Sequence, residues 1–322
     1  MKYEVLFRSL LRQLRYRIPQ NSKLVTKLVD ILELERMAIY RRLRQEVQFS
    51  FEEIVAIAKE FNFSLDSIHG VDAGTIFLFR VQSHKNKDTV EIDYSKLNEY
   101  IQAINEVASD LSGELSLVSN LLPFPLYTGF KFIYHFYYFK WRFYSVPPNQ
   151  TKAYHEIIFP ERLTQILEDI FTYSKIIKNN SYVFDNRVFQ DFVNDVAYFN
   201  SIRLISDEDV LHIKDDLFRF LDFIEAAATT GFVDNPLNKV SIYISDTCID
   251  TSFSCVCSQS ISRFGLTWSF IYTFILVFEE ENLEMMKQRI RSIKRTSTLL
   301  SGNGEKQRTL YFETQRKIVE QL

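Results

Sequence analysis

Residues 35–54 read E-R-M-A-I-Y-R-R-L-R-Q-E-V-Q-F-S-F-E-E-I, and this stretch decides how the first part of the chain folds. Ile39 and Leu43 stand four residues apart, a spacing that predicts the inner face of an amphipathic helix. Ser50 and Glu53 have the spacing of a capping box, in which each side chain bonds the backbone N–H of the other at the start of a helix. The stretch therefore predicts two consecutive helices, of which the first is rich in arginine.

Amphipathic segments lie on both sides of this stretch. Apolar residues recur at helical spacing over residues 5–14 and 24–32 before it, and over residues 54–61 after it. A short fifth helical turn follows and ends at Gly70. The sequence thus predicts an N-terminal domain of five helices over residues 1–70.

Positive charge is concentrated in the same region. Residues 1–48 carry 11 Lys and Arg against 5 Asp and Glu, although the whole chain has a net charge of -3. Residues 71–322 carry 26 basic residues against 32 acidic ones. A polyanion would therefore meet the N-terminal region, while the acidic remainder is repelled from it.

The connection between the second and third predicted helices is only about residues 33–34, the short turn of a helix-turn-helix motif. Residues four apart lie on one face of a helix, because four residues advance about 400°. Arginine can bond guanine O6 and N7 together, while other cations pair with phosphates. The third helix is therefore predicted to read the major groove of double-stranded DNA. The residues on or beside its polar face are Arg36, Met37, Tyr40, Arg41 and Arg44.

Two lysines of the second predicted helix extend this surface. Lys23 and Lys27 are four residues apart, near the start of that helix. In a helix-turn-helix motif the first of the two helices crosses the DNA backbone. Both lysines are therefore predicted to contact phosphates.

A resemblance to a known family is carried by four runs of residues. They are A-I-Y-R-R-L-R-Q-E at 38–46, F-S-F-E-E-I at 49–54, I-A-K at 57–59 and F-S-L-D at 63–66. Together these runs resemble the lambda-repressor-like (Xre-type) helix-turn-helix family of bacterial transcription regulators. The resemblance covers roughly residues 20–70, a small part of the chain.

The resemblance implies that the third helix enters the major groove and that the fourth and fifth helices complete the bundle. The chain departs from the common pattern of the family at Tyr40, where a small residue usually stands. It departs again at Gln45, where a glycine often ends the recognition helix. The groove contacts that the resemblance assigns are Glu35, Arg36, Met37, Tyr40, Arg41 and Arg44.

Residues 71–322 show a different pattern. A strand is predicted over 75–82, followed by a loop over 83–88. From Lys239 the apolar residues change to period two, which predicts antiparallel strands. The predicted strands cover 240–246, 252–258 and 268–278, and the predicted helices cover 94–120, 128–145, 160–178, 186–200, 206–228, 283–293 and 310–322.

The predicted fold class is therefore mostly α. A five-helix helix-turn-helix domain is followed by a larger α+β domain with a C-terminal antiparallel sheet. An alternative division of the larger domain separates a helical part, 90–231, from an α+β part, 239–322.

Composition excludes several classes of protein. Only 8 of 322 residues are glycine, and their positions allow neither the dinucleotide fingerprint nor the phosphate-binding P-loop. Cys248, Cys255 and Cys257 match no zinc-binding spacing, and the five histidines are scattered. No catalysis, cofactor or metal is therefore predicted.

The longest apolar stretch, residues 264–278, is shorter than the about 20 residues that span a membrane. It predicts a buried strand or strand pair. The odd number of cysteines and the lack of a signal peptide at Met1 predict a cytoplasmic protein.

The predicted function is sequence-specific DNA binding in transcription regulation. Residues 71–322 would hold a homodimer together, through the helices predicted at 94–120 or 310–322, or would sense a small-molecule effector. Two alternatives remain open at this point. One is an enzyme or small-molecule-binding module fused to a DNA-binding domain, and the other is a protein–protein interaction module.

Overall fold

The computed structural model of the chain describes residues 2–18, 20–61, 65, 92, 94–259, 262–267, 274–277 and 280–322. The chain divides into two units, Met1–Leu78 and Phe79–Leu322. The described residues are mostly helical, with one mixed β-sheet, so the mainly helical fold class is confirmed. The predicted strand at 75–82, the loop at 83–88 and all of the fifth helical turn except Leu65 lie outside the described residues.

Four helices form the described part of the N-terminal unit. Their apolar faces meet in one core, which Phe49 closes from the connection before the last helix. The predicted inner-face residue Ile39 is fully buried in this core, and Leu43 packs against it. The helices are α1 (Lys2–Arg17), α2 (Asn21–Leu32), α3 (Arg36–Leu43) and α4 (Phe51–Glu60).

The second unit alternates helices and strands before it ends in antiparallel strands and two further helices. In chain order its elements are α5 (Tyr94–Ala108), β1 (Glu114–Ser119), α6 (Phe124–Tyr127), α7 (Lys131–Ser145), α8 (Glu161–Ile176), β2 (Asn179–Asp185), α9 (Val188–Ser201), α10 (Asp207–Thr230), β3 (Lys239–Ser245), β4 (Ser252–Cys257), β5 (Ser262–Thr267), β6 (Phe274–Val277), α11 (Glu280–Arg295), β7 (Ser297–Leu299) and α12 (Glu305–Val319). Short 3₁₀ turns stand at Pro148–Gln150 and Tyr154–Glu156.

The described strands form one sheet in the order β6-β5-β4-β1-β2-β3-β7. β1, β2 and β3 are parallel, as expected for strands joined by helical crossovers. The other neighbours are antiparallel. Leu117, Tyr182 and Ile242 lie on the face that packs against the main helical layer, whereas α11 packs on the opposite face.

The aromatic segment at 128–145 forms helix α7, as predicted. Phe136 is fully buried, and its ring centroid lies 4.8 Å from that of Phe192 on α9. Phe139 makes a similar contact with Phe199 at 4.9 Å. Both contacts have the edge-to-face geometry that aromatic pairs favour. The rings therefore fill the core of this unit.

One predicted helix is wrong in its second half. The helix expected over 94–120 ends at Ala108, and residues 114–119 form β1 instead. Gly113 makes the turn possible, because a Cβ there would lie only 2.2 Å from the backbone oxygen of Val107. After the turn, E-L-S-L-V-S alternates with period two, which suits a strand.

The C-terminal strands do not form a separate antiparallel sheet. β5 pairs antiparallel with both β4 and β6, but β3 pairs in parallel with β2, a strand that the sequence pattern did not predict. Strands from both halves of residues 79–322 therefore share one sheet. Among the described helices, none is both long and apolar enough to cross a lipid bilayer.

Candidate nucleic-acid interface

A three-residue connection joins α2 to α3. Glu33 follows α2 in the left-handed conformation, with a φ of 51°, and turns the chain sharply. Leu34 packs against the core, and Glu35 stands as the N-cap residue of α3 with its side chain exposed. The tight turn and the buried Ile39 together hold α3 on the rest of the unit.

Most of the predicted groove residues on α3 are exposed. Arg36, Arg41 and Arg44 face solvent, and Met37 is 64% exposed. Tyr40 differs, because it is half-buried and packs against the core. The Arg44 guanidinium lies over the Tyr40 ring at 5.9 Å, so Tyr40 supports this arginine from a half-buried position.

Arg41 and Arg44 share one weak partner. Each guanidinium lies 3.8 Å from the carboxylate of Glu46, and all three side chains are about half or more exposed to solvent. Exposed pairs of this length contribute little to stability. Both arginines can therefore leave Glu46 for a phosphate or a base.

Arg42 is held quite differently. Its Nε and Nη2 donate to both oxygens of Glu53, at 2.9 Å and 2.7 Å, and both side chains are mostly buried. The bond to Glu53 raises the pKa of the Arg42 guanidinium. Arg42 thus ties the end of α3 to the start of α4, which the sequence alone did not reveal.

Glu53 has a second role at the start of α4. It completes the predicted capping box, which is confirmed: Ser50 N–H donates to Glu53 at 2.9 Å, and Glu53 N–H donates to Ser50 Oγ at 3.2 Å. Burial raises the pKa of Glu53, but the bonds from Arg42 and from the Ser50 backbone outweigh it, so the pKa lies below its usual range. One carboxylate therefore fixes both α3 and α4.

The chain leaves α3 through a Schellman motif. Gln45 N–H donates to the carbonyl of Arg42, and Glu46 N–H donates to that of Arg41. The motif places Gln45 in the left-handed conformation, with a φ of 65°. This is the position where the sequence lacks the glycine that such a conformation favours.

The two predicted lysines of α2 are placed unequally. Lys23 is exposed, in the first turn of the helix. Lys27 is half-buried and pairs with Glu60 of α4. Only Lys23 is therefore immediately available for a phosphate.

In the second unit, polar groups at the carboxyl ends of β2 and β3 tie loops together. Asp185 is buried and accepts the backbone N–H groups of Arg187 and Ile249, each at 3.0 Å. Arg187 also donates to the Cys248 sulfur at 2.6 Å. These contacts stabilise loops at the edge where ligands often bind in α/β folds.

The cysteines and other ligand types are dispersed. Within the described ranges, no group of three His, Cys, Asp or Glu side chains is arranged to hold a metal ion. Cys255 and Cys257 are buried in β4, and burial raises the pKa of Cys255 to about 12. Cys248 is exposed, and all three are free thiols.

Comparison with known proteins found no match, whether with family models, curated protein sequences or solved structures.

Proposed function

We propose that the chain is a sequence-specific DNA-binding transcription regulator that acts without catalysis. In this proposal α2 and α3 are the two helices of a helix-turn-helix motif, within a five-helix domain of the lambda-repressor-like kind. α3 is the recognition helix. Double-stranded DNA is the partner.

One observation carries the proposal. The arginines on either side of Arg42 face solvent, while Arg42 itself is bonded to Glu53 and Ile39 is buried. A helix that reads bases needs exposed arginines on a rigid support, because bidentate contacts require the donors to be in place. α3 combines both properties.

The test is binding to DNA selected from a random-sequence pool. We expect the full chain to enrich a sequence motif and to bind it more weakly as salt rises, since phosphate neutralisation contributes about -0.9 per contact to the log-log slope. Absence of enrichment together with salt-independent binding would reject the proposal.

For the second unit we propose a role in dimerisation, because two recognition helices about 34 to 36 Å apart read a longer site than one. Helices α5 and α12 overlap the two segments for which the sequence predicts the interface, and each buries one apolar face in its own unit. α12 buries Phe312 and Val319 within its own unit, and α5 buries Leu97 and Ile104. An interface through either helix would use its exposed face, which on α12 includes Leu310. Sedimentation at micromolar concentration tests the dimer: a 38.1 kDa species both free and on DNA would exclude it.

Two further expectations belong to this proposal. A small-molecule effector would bind the second unit, and ligand-dependent melting would detect it. The three free thiols agree with a reducing compartment such as the cytoplasm.

A further inference from the structure

Helix α1 carries an arginine stripe that is absent from the contact residues described above. Arg8, Arg12 and Arg15 follow one another at intervals of four and three residues, so they lie on one face of the helix. All three are exposed. The opposite face of α1 is buried in the core through Phe7, Leu10 and Leu14.

The α1 arginine stripe has no compensating charge nearby. Across the part of the unit that the structure describes, none of its three guanidinium groups lies within ion-pair distance of a carboxylate. The neighbouring Arg17 is different, because it donates to the backbone oxygen of Phe61 and to Gln13. The only acidic residue of α1 is Glu4, in its first turn.

Like charges at these spacings repel one another, so the stripe does not stabilise the helix by itself. Arg15 gains from the helix dipole in the last turn, but Arg8 and Arg12 are too far from that end to gain similarly. An anionic partner would relieve the repulsion. The described residues of this unit supply none.

The dimensions of the stripe suit a phosphate backbone. Arg15 is seven positions after Arg8 in the helix, so at a rise of about 1.5 Å per residue the stripe is about 10 Å long. One strand of duplex DNA presents a phosphate about every 3.4 Å along the axis. The stripe is therefore long enough to contact more than one phosphate of a strand, and arginine is a strong hydrogen-bond donor to phosphate.

We propose that Arg8, Arg12 and Arg15 form a second DNA-binding surface that holds the sugar-phosphate backbone without reading sequence. This inference rests on the proposed function of α3. In it, α3 selects the DNA site, and α1 adds salt-dependent affinity for DNA of any sequence. The three arginines would contact phosphates, which are the same in every DNA sequence, so these contacts do not discriminate between sequences.

The test compares two triple variants of the full chain. Arg8→Gln, Arg12→Gln and Arg15→Gln remove the stripe, while Lys239→Gln, Lys306→Gln and Lys317→Gln remove the same charge from exposed positions of the second unit. Affinity is measured against salt on a selected DNA site and on a shuffled one. The stripe variant should reduce the magnitude of the log-log slope by up to about 2.7 on both DNAs, since each contact contributes about 0.9. The control variant should leave the slope unchanged.

The outcomes separate the two proposals. If the parent chain binds neither DNA, the proposed function fails. If the parent chain binds selectively and the stripe variant keeps its slope, only the inference about α1 fails. Binding of vesicles containing anionic phosphatidylserine that is lost in the stripe variant, with the DNA slope unchanged, would also overturn it in favour of a lipid surface. Single variants, each expected to reduce the slope by about 0.9, keep the test valid if the triple variant unfolds.

Discussion

In the second unit, several cations on the helices are bound to partners on other elements of the same unit. Arg316 of α12 bonds both Asp222 and Glu225 of α10, joining two helices. Lys294 of α11 reaches the sheet and donates to Ser181 at 2.6 Å, and burial lowers the pKa of this lysine. These cations hold the unit together.

In the N-terminal unit, most arginines serve no such purpose. The exceptions are Arg42, fixed to Glu53 by two hydrogen bonds, and Arg17, which donates to the backbone oxygen of Phe61. Arg36 and the three arginines of the α1 stripe face solvent. Among the described residues of this unit, none of these four guanidinium groups has a carboxylate within ion-pair distance. Binding to a polyanion is therefore expected in the N-terminal unit.

The largest effect is expected from the aromatic core of the second unit. Phe136→Ala should cost about 3 to 5 kcal/mol, because it empties a fully buried site beside Phe192. Both tryptophans, Trp141 and Trp268, belong to residues 79–322, so their fluorescence during denaturation reports on this unit alone. The matched control is Leu211→Ala on α10 of the same unit, where the side chain is 64% exposed and a change within about 0.5 kcal/mol is expected. Equal losses would show that the core assignment is wrong.

The next effect separates the two faces of α3. Ile39→Ala should destabilise the N-terminal unit by about 2 to 5 kcal/mol, because Ile39 is fully buried. Arg36→Ala should change stability by no more than about 0.5 kcal/mol while weakening specific DNA binding. Circular dichroism melting and DNA affinity measure the two properties separately. A similar melting loss for both variants would contradict the orientation of α3.

A smaller effect distinguishes two adjacent arginines. Arg42→Met should cost about 1 to 3 kcal/mol, because it leaves the mostly buried carboxylate of Glu53 without its bidentate partner. Arg41→Met, the control, removes only an exposed contact at 3.8 Å and should be nearly neutral in stability. Thermal denaturation at pH 7 compares them directly, and a reversed order would refute the role of Arg42.

The same pair predicts how stability depends on pH. Since the pKa of Glu53 in the folded chain lies below its usual range, its contribution is complete above the unfolded value of about 4.3. It is lost as the pH falls through the lower folded value. Denaturant unfolding between pH 7 and pH 3 should therefore show a weaker acid destabilisation in Glu53→Gln than in the parent chain. An unchanged pH profile would mean that the ion pair is not formed.

The smallest effect is a gain. Gln45→Gly should stabilise the N-terminal unit by about 0.5 to 1 kcal/mol, because glycine adopts the φ of 65° without the cost of a Cβ. Gln48→Gly, at an exposed position without a positive φ, should give no gain. Melting temperatures measure both variants, and a loss at position 45 would contradict the observed ending of α3.

Helices with strong local signals were predictable from sequence. The capping box at Ser50 and the buried Ile39 follow from spacing alone, because both depend on residues within one turn. Arg42 could not be told from Arg41 in this way. Its partner lies eleven residues away, and only the packing of α3 against α4 brings the two side chains together.

The sheet shows the same limit. Period two identified β3 as a strand, but the pattern contains no information about its neighbour, which is the parallel β2. β2 is buried along most of its length, but it begins with the polar run N-N-S. This run gave no strand pattern in the sequence. The helical pattern after residue 94 also continued past the turn at Gly113, because Leu111 and Leu115 fit both periods.

The most direct test of the central claim, that α3 of the N-terminal unit selects DNA sequence, is the ratio of affinities for a selected site and a shuffled site. It is measured for the full chain and for Arg36→Ala, Arg41→Ala and Arg44→Ala. Each variant that removes a base contact is expected to lower the ratio by about 5-fold to 150-fold, since a bidentate contact contributes about 1 to 3 kcal/mol of discrimination. A ratio that stays at the parent value in all three variants, with folding intact, would contradict the claim.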